Sequence, residues 1–355
     1  RLAARRGARG SGGHGGQPVS TTPIDRAGAL LERRFGVRLR RDVPLGPMTT
    51  YRVGGPAALY VDIASIEDLV AVAEARRACG LPVLVVGRGS NMLVSDEGFE
   101  GLAMSIAGFA DAIELPDDTA AMPPGTPVTV TAGGGVALPV LARRTAAAGV
   151  RGFEWAVGVP GSVGGAVRMN AGGHGSDIAA TLLDVDVFDL EAPAAGLVTV
   201  PTAELGLRFR ASSLAASHVV CAGRLRLHAG DRAEAEREVG EVVHWRREHQ
   251  PGGQNCGSVF VNPVPGELSA GALIDGLGLR GLRIGTAEVS TKHANFIQAD
   301  EGGRAADVRA LIEDVRRRVH EATGYLLRSE VRMVGFADVD PLSFDGPVPT
   351  SGTAG

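Results

Sequence analysis

The stretch Gly152 to Gly175 reads GFEWAVGVPGSVGGAVRMNAGGHG, and the fold turns on how it is read. Glycine recurs too densely here for a packed helix or an ordinary strand, since each one costs roughly 0.5–1 kcal/mol against alanine in a regular element. Such density marks backbone that something must approach closely. Exposed main-chain N–H groups with no Cβ in the way are what a phosphate or pyrophosphate requires. The stretch is neither a P-loop nor a dinucleotide fingerprint, because no GK[ST] follows and no clean G-x-G-x-x-G sits between strand and helix. A glycine-rich surface loop is the plain alternative. The apolar residues threaded through it (Phe153, Trp155, Val157, Val159, Val163, Val167 and Met169) argue for a loop held inside a core.

Two more glycine clusters lie upstream. Ala58 to Ile63 reads as a strand, and Ser65 caps a helix with Asp68 at the capping-box position and Leu69, Val72 and Ala73 on one face. Gly80 ends that helix, and Leu81 to Val86 reads as a buried strand emptying into Gly87-Arg88-Gly89-Ser90-Asn91. The third cluster, Ala132-Gly133-Gly134-Gly135, follows a strand at Val128–Thr131 and opens a helix at Leu138–Ala148. A lone G-x-G is a weak signal. Three glycine loops behind strands suggest a large phosphate-bearing ligand such as a dinucleotide.

Composition bounds the rest. A chain of 355 residues has length for two or three domains. With 44% hydrophobic and 21% charged residues it reads as a soluble globular protein, and a net charge of −4 asks for neither nucleic acid nor an acidic membrane. Cys79, Cys221 and Cys256 are odd in number and far apart, which fits a reducing compartment and supplies no metal spacing. No apolar run approaches a membrane span and no signal peptide is apparent, so the cytoplasm is expected. Aromatic content of only 4% leaves Trp155 and Trp245 standing out.

The first residues are basic and glycine-rich and the last are rich in proline, glycine and serine; both read as disordered tails. A helix over 24–40 closes at Gly36. Beyond the central loop come strands at Asp184–Leu190, Leu197–Val200 and His218–Leu227. A helix from Arg232 to His249 ends at Pro251 and is expected to open a separate domain. That domain carries a turn at Gln254–Pro263, a helix near 269–277, the segment AEVSTKHANFIQ (287–298), a helix at Ala305–Ala322 and a strand at Leu326–Val334.

The ordered pattern MTTYRVGG, GRGSN, GFEWAVGVPGSVGGAVRMNAGGHG, LRFRASS, CGSVFVNP, KHANFI and SEVRMVG resembles the UDP-N-acetylenolpyruvoylglucosamine reductase family, from about residue 45 to 335. The resemblance implies an α+β protein with an FAD-binding fold of the vanillyl-alcohol-oxidase type in two subdomains, plus a smaller α+β substrate domain. The expected divisions are a tail at 1–23, flavin-binding subdomains at 24–106 and 107–228, a C-terminal substrate domain at 229–335 and a tail at 336–355. It also implies non-covalent FAD, NADPH as co-substrate, no metal, and reduction of the enolpyruvyl ether of UDP-N-acetylglucosamine to UDP-N-acetylmuramate, a step of peptidoglycan precursor synthesis. The expected partners are these small molecules only, and the expected state is a monomer.

By the same resemblance, Ser258 is the proton donor, Arg210 binds the substrate carboxylate or enolate oxygen, and Glu330 stands beside the substrate. A guanidinium suits planar, bidentate recognition. In a period-2 strand Glu330 lies on the face opposite Ser329, Val331 and Met333, so its side chain is free to leave the core. The flavin cradle is expected from Gly87, Arg88, Gly89, Ser90, Asn91 and Met92, from Gly133, and from Pro160, Gly161, Ser162, Gly164, Gly165, Asn170, Ala171 and Gly172. Substrate binding is assigned to Asn262, Lys292, His293 and His249. Lys292 draws notice from composition as well, being the single lysine in an arginine-rich chain. Some members of the family carry a tyrosine in a long insertion, and the stretch after Val220 is too short to hold one; Phe209 also stands where those members have tyrosine. This points to the subclass without the insertion and leaves His249 or Arg247 to clamp the diphosphate. Two other readings stand beside this one: an FAD oxidase or dehydrogenase of the same fold, with His174 as a covalent attachment point, and a binding module without turnover.

Overall fold

The computed structural model describes residues 22–264 and 266–337. The two expected tails therefore fall almost wholly outside the described residues. Seven helices are described: α1 (Pro23–Phe35), α2 (Ile66–Cys79), α3 (Leu138–Ala147), α4 (Val163–Met169), α5 (Arg232–His249), α6 (Ala270–Gly276) and α7 (Ala305–Thr323). Their ends follow local chemistry. Thr22 and Asp25 form a reciprocal capping box on α1, with Pro23 in the first turn, and Gly80 and Gly324 close α2 and α7 in the left-handed region.

Three sheets carry these helices. The first is four-stranded, in the order Arg40–Pro44, Pro56–Asp62, Phe99–Ser105, Val83–Val85, and parallel except at its first pair. α1 and α2 bury Leu31, Phe35, Leu69 and Val72 against its Leu59, Val61, Leu102 and Met104. The second sheet is antiparallel, in the order Leu197–Pro201, Leu182–Asp189, His218–Ala229, Pro127–Gly133, Ile113–Glu114. Phe188 and Val219 from this sheet reach back into the first core, so the two layers share one interior. The third sheet, Arg283–Ile284, Ala287–Val289 and Ile297–Ala299, packs on α7.

The glycine-rich stretch is held inside the second core, as its apolar residues suggested. Phe153, Trp155, Val157, Val163 and Val167 are all buried with Leu138, Leu141, Val185 and Leu225. Phe153 and Trp155 meet edge to face with ring centroids 5.3 Å apart.

Three expectations need correction. Leu81 to Val86 was expected as a buried strand, but only Val83–Val85 is strand and it is half-buried, because it lines a cavity. Asp68 does not complete a reciprocal box with Ser65: its carboxylate accepts from Ala64 N–H (3.0 Å) and from Arg34 and Arg38 (2.9 and 2.7 Å). Third, α5 does not open the C-terminal domain at 229. Its Ala235, Val239 and Val242 belong to the second core beside α3, so packing puts the division at the helix's far end. The C-terminal domain is not self-contained either. Tyr51, Val53 and Leu93 are buried in its core, and its last strand, Arg332–Val334, pairs in parallel with Met92–Val94.

Among the described residues no helix is long and apolar enough to cross a membrane.

Asp68 offers a test of this packing. Burial opposes its ionisation, but the hydrogen bonds from Arg38, Ala64 and Arg34 outweigh that and hold the carboxyl below 3.8. Its stabilising contribution is thus complete above pH 3.8 and is lost as pH falls through the lower folded value. Arg34 and Arg38 are about two-fifths exposed, so solvent screens part of their attraction. Asp68→Ala should lower stability at pH 7 by roughly 1–3 kcal/mol, measured by urea denaturation, with the deficit closing below pH 3.8.

Candidate active site

Four parts of the chain enclose a cavity of about 540 Å³. One wall is Val83–Val85 and the loop Gly87–Met92 that follows it. The second is Val159–Ser162, the inner side of α4 and Ala171–His174. The third is Cys256–Ser258, Phe296, Glu330 and Arg332, and Trp245, Arg246 and Gln250 stand at the end of α5.

Backbone hydrogen bonds lock the first and third walls together. Asn91 Nδ2 donates to Glu330 O at 2.8 Å, and Arg332 N–H donates to Asn91 O at 2.9 Å. Glu330 N–H donates to Val259 O at 2.7 Å, while Val259 and Phe260 are pinned through their N–H groups to the main chain and side chain of buried Asn295. Ser329, Val331 and Met333 point into the core, and Glu330 between them faces the cavity.

Arg210 comes from the other side, on a turn where it adopts φ +54°. Its guanidinium donates to Gly172 O at 2.9 Å and pairs with Glu330, Nε to Oε2, at 3.3 Å. Burial pushes the Glu330 carboxyl up to about 7, with Arg210 and Arg328 pulling it back. Ser258 lines the same cavity. Beside it burial raises the Cys256 thiol to about 12, which leaves that sulfur protonated and unreactive at neutral pH.

The lining of the cavity suits a flavin dinucleotide. A second chamber of about 730 Å³ adjoins it and shares Gly87 and Arg88 as walls. The first chamber has apolar sides from Val83, Leu84, Val85, Met92 and Val159, suited to a ring system. The second is lined by Thr49, Thr50, Arg52, Ser105 and Gln254, and Thr50 Oγ1 is buried there without a hydrogen-bond partner. The glycines at the junction are needed: a Cβ on Gly87 would fall 2.5 Å from Ser162 Oγ, and Gly89 has φ +57° with Met48 O only 2.3 Å from where its Cβ would stand.

Comparison with known proteins agrees with this geometry. Residues 57–191 match the model of an FAD binding domain, and residues 249–334 match that of the UDP-N-acetylenolpyruvoylglucosamine reductase C-terminal domain. A reductase of that name from Synechococcus sp. is 43% identical over 309 residues, covering 86% of this chain and 97% of the relative. Another from Chloroflexus aggregans is 39% identical over 86% of this chain and 100% of the relative. This chain belongs to the UDP-N-acetylenolpyruvoylglucosamine reductase family. The crystal structure of the reductase (MurB) from Thermus caldophilus superimposes with a TM-score of 0.68 at 34% identity, covering 84% of this chain and 99% of that one. The fold joins an FAD-binding domain to the C-terminal domain of the reductase family.

Within that frame the expected site residues divide. Ser258, Arg210 and Glu330 share the cavity, as do Gly87 to Met92, Pro160, Gly161, Ser162, Gly165, Ala171 and Gly172. Others do not line it. Gly133 and Gly164 are glycines for packing: a Cβ on Gly133 would sit 2.3 Å from Ala110 O, and one on Gly164 would sit 3.1 Å from both Gly134 O and Val220 O. Asn170 is buried at the left-handed end of α4, bonded to Asp177, Arg208 O and Ala179 N. Asn262 accepts from the first N–H of α6. Lys292 is exposed and donates to Arg247 O, so it ties α5 to the C-terminal domain and stays out of the cavity. His293 is half-buried against Phe296, and its Nδ1 accepts from Asn295 N–H. His249 lies outside the lining, stacked on Trp245, which lines it.

The cavity also contains residues that the sequence reading had not singled out as site residues. Arg168 is one; it donates to Leu214 O, Ala215 O and His218 O, which anchors the segment after Arg210, and its pKa falls to about 10 through burial and then Arg332. Trp245 had a faint signal in its rarity, whereas Arg246 had none among so many arginines.

Two outcomes are expected. Gly161→Val directs a side chain toward the cavity, where its Cβ would meet only ordinary contacts with Ser90 and Leu138. The variant should fold with a wild-type circular dichroism spectrum yet purify without flavin absorbance. For Glu330 the sign is set by the raised pKa: the fold favours the neutral carboxyl, so the group is increasingly unfavourable as pH rises from 4.5 to about 7. Melting curves of Glu330→Gln and wild type should coincide near pH 4 and diverge through that window, with the variant melting higher by pH 8.

Proposed function

We propose that this chain reduces the enolpyruvyl ether of UDP-N-acetylglucosamine with electrons from NADPH, through Arg210, Glu330 and Ser258 around an FAD. The observation that carries the assignment is the Arg210–Glu330 pair, 3.3 Å apart, facing the cavity that Ser258 also lines.

The cradle for the cofactor is the loop Gly87–Met92, Pro160–Ser162, Gly165 and Ala171–Gly172. When bound, the flavin supplies hydride chemistry at that wall. The remaining demands fall on the chain's own side chains. Reduction adds hydride at the terminal carbon of the double bond and a proton at the carbon bearing the ether oxygen and carboxylate. Negative charge gathers on that carboxylate as the bond is reduced. Arg210, held by Gly172 O and by Glu330, presents a fixed guanidinium to it, so little reorganisation is needed when the charge develops. Ser258 supplies the proton from its Oγ. A hydroxyl is a weak acid in water but sufficient against a carbanion-like centre. Glu330, with a carboxyl near 7, is neutral in a fraction of molecules at neutral pH, which tempers its competition with the substrate carboxylate for Arg210.

The rival reading with a covalent flavin at His174 has less support. The relatives matched over most of the chain carry the reductase name instead. We place the enzyme in the cytoplasm as a monomer, where its nucleotide substrates are held.

Ser258→Ala separates the steps. Bleaching of the 450 nm region by NADPH should stay within about a few-fold of wild type, because it needs no proton from this hydroxyl. Consumption of the enolpyruvyl substrate should slow by roughly 10²–10⁴-fold, and cysteine there should retain more activity than alanine. Equal loss in both measurements makes Ser258 structural, and no loss in either places the proton donor elsewhere.

A further inference from the structure

Ser258 gives up the proton in the reading above, yet among the described residues no hydrogen bond holds Ser258 itself. Gly257 before it adopts φ +83°, with open space where a Cβ would stand, so nothing packs there to fix the serine. The place of its hydroxyl is therefore set by the residues that follow, Val259 to Val261.

Those residues are gripped on two edges. On one, Glu330 N–H donates to Val259 O at 2.7 Å and Val261 N–H donates to Arg328 O at 2.9 Å, with Phe260 opposite Ser329. This pairing turns the N–H and C=O of Phe260 toward the other edge. Phe260 is buried, so both groups need partners inside the protein. Asn295 supplies them. Its Oδ1 accepts from Phe260 N–H at 3.0 Å, its Nδ2 donates to Phe260 O at 2.8 Å, and its main-chain O accepts from Val259 N–H at 2.9 Å. One carboxamide thus does for Phe260 what a residue of a neighbouring strand does.

Asn295 is itself held. It is buried in the turn between Ala287–Val289 and Ile297–Ala299, where its N–H donates to His293 Nδ1 at 3.2 Å. Buried Ser290 shapes the same turn, its Oγ accepting from Lys292 N–H at 3.1 Å and His293 N–H at 3.4 Å. Asn295 does not line the cavity, although Phe296 beside it does.

We propose that Asn295 is a positioning residue for the proton transfer: by bridging both main-chain groups of Phe260 it fixes the reach of the Ser258 hydroxyl into the cavity. The proposal rests on the reductase reading and adds to it a residue that touches neither substrate nor flavin.

Hydrogen exchange and rapid mixing of the flavin-loaded full chain test it. Asn295→Ser leaves room for water to meet the two Phe260 groups, and Asn295→Ala removes both side-chain bonds. Amide exchange across residues 258–261 should quicken in Asn295→Ser, because Phe260 N–H loses its fixed acceptor. Bleaching of the flavin by NADPH should stay within about a few-fold of wild type in both variants. Reoxidation by the enolpyruvyl substrate should slow by roughly 10- to 100-fold, the effect of about 1 Å of misplacement at the reacting atoms. A double-mutant cycle with Ser258→Ala shows whether this loss runs through the serine. In that background Asn295→Ser should slow reoxidation by less than about 2-fold. Equal slowing with and without the Ser258 hydroxyl overturns the proposal, as does unchanged exchange, unchanged reoxidation or equal loss of both half-reactions. Retained flavin absorbance certifies folding, and if Asn295→Ala lacks it, Asn295→Ser carries the test. Loss of flavin from both variants makes Asn295 a residue of the fold alone and also overturns the proposal. Failure of the reductase reading looks different: the wild-type flavin is reduced by NADPH but the enolpyruvyl substrate does not reoxidise it. Wild-type reoxidation in Ser258→Ala moves the proton donor elsewhere and removes the role given to Asn295.

Discussion

The site depends on one short run of main chain, Glu330 to Arg332, clamped between two loops. Asn91 grips it from one side through Glu330 O and Arg332 N–H, and Val259 receives Glu330 N–H from the other. These bonds join the loop after the first βαβ unit, the turn carrying Ser258 and the last strand of the fold. They lie at a cavity wall, where an unmade backbone hydrogen bond costs the most. A carboxyl near 7 is the electrostatic price of that placement, and Arg210 moderates it from across the cavity.

The same clamp explains why the domains cannot be cut cleanly. The C-terminal core takes in Tyr51, Val53 and Leu93 from the N-terminal part, and Arg332–Val334 returns to pair with Met92–Val94. α5 packs on the second core and delivers its last turn to the cavity. Lys292, bonded to Arg247 O, fastens that turn to the C-terminal domain. Its solitary status in the sequence is therefore matched by a structural tether, while Arg246 of the same helix turn lines the cavity.

Glycine carries two different messages in this chain. At Gly161 its absence of a side chain leaves the cavity open. At Gly133, Gly134 and Gly164 it lets backbone pack on backbone: a Cβ on Gly134 would fall 2.0 Å from Val220 O. Both kinds read alike along the sequence, and the resemblance had placed Gly133 and Gly164 with the cofactor-binding glycines.

The sequence by itself determined the helices with clear caps, the strands of the second sheet and the burial of the glycine-rich stretch. These follow from local chemistry: a cap, a period of two or four, or a motif whose residues lie close along the chain. Tertiary structure alone decided the rest. It turned Asp68 toward Arg34 and Arg38, kept Asn170 and Asn262 for backbone carpentry, and brought Trp245, Arg246 and Gln250 to the cavity. The physical reason is that burial and partnership are set by elements far apart in sequence. An arginine is a salt-bridge partner or a cavity wall according to what packs across from it, and no periodicity along the chain records that choice.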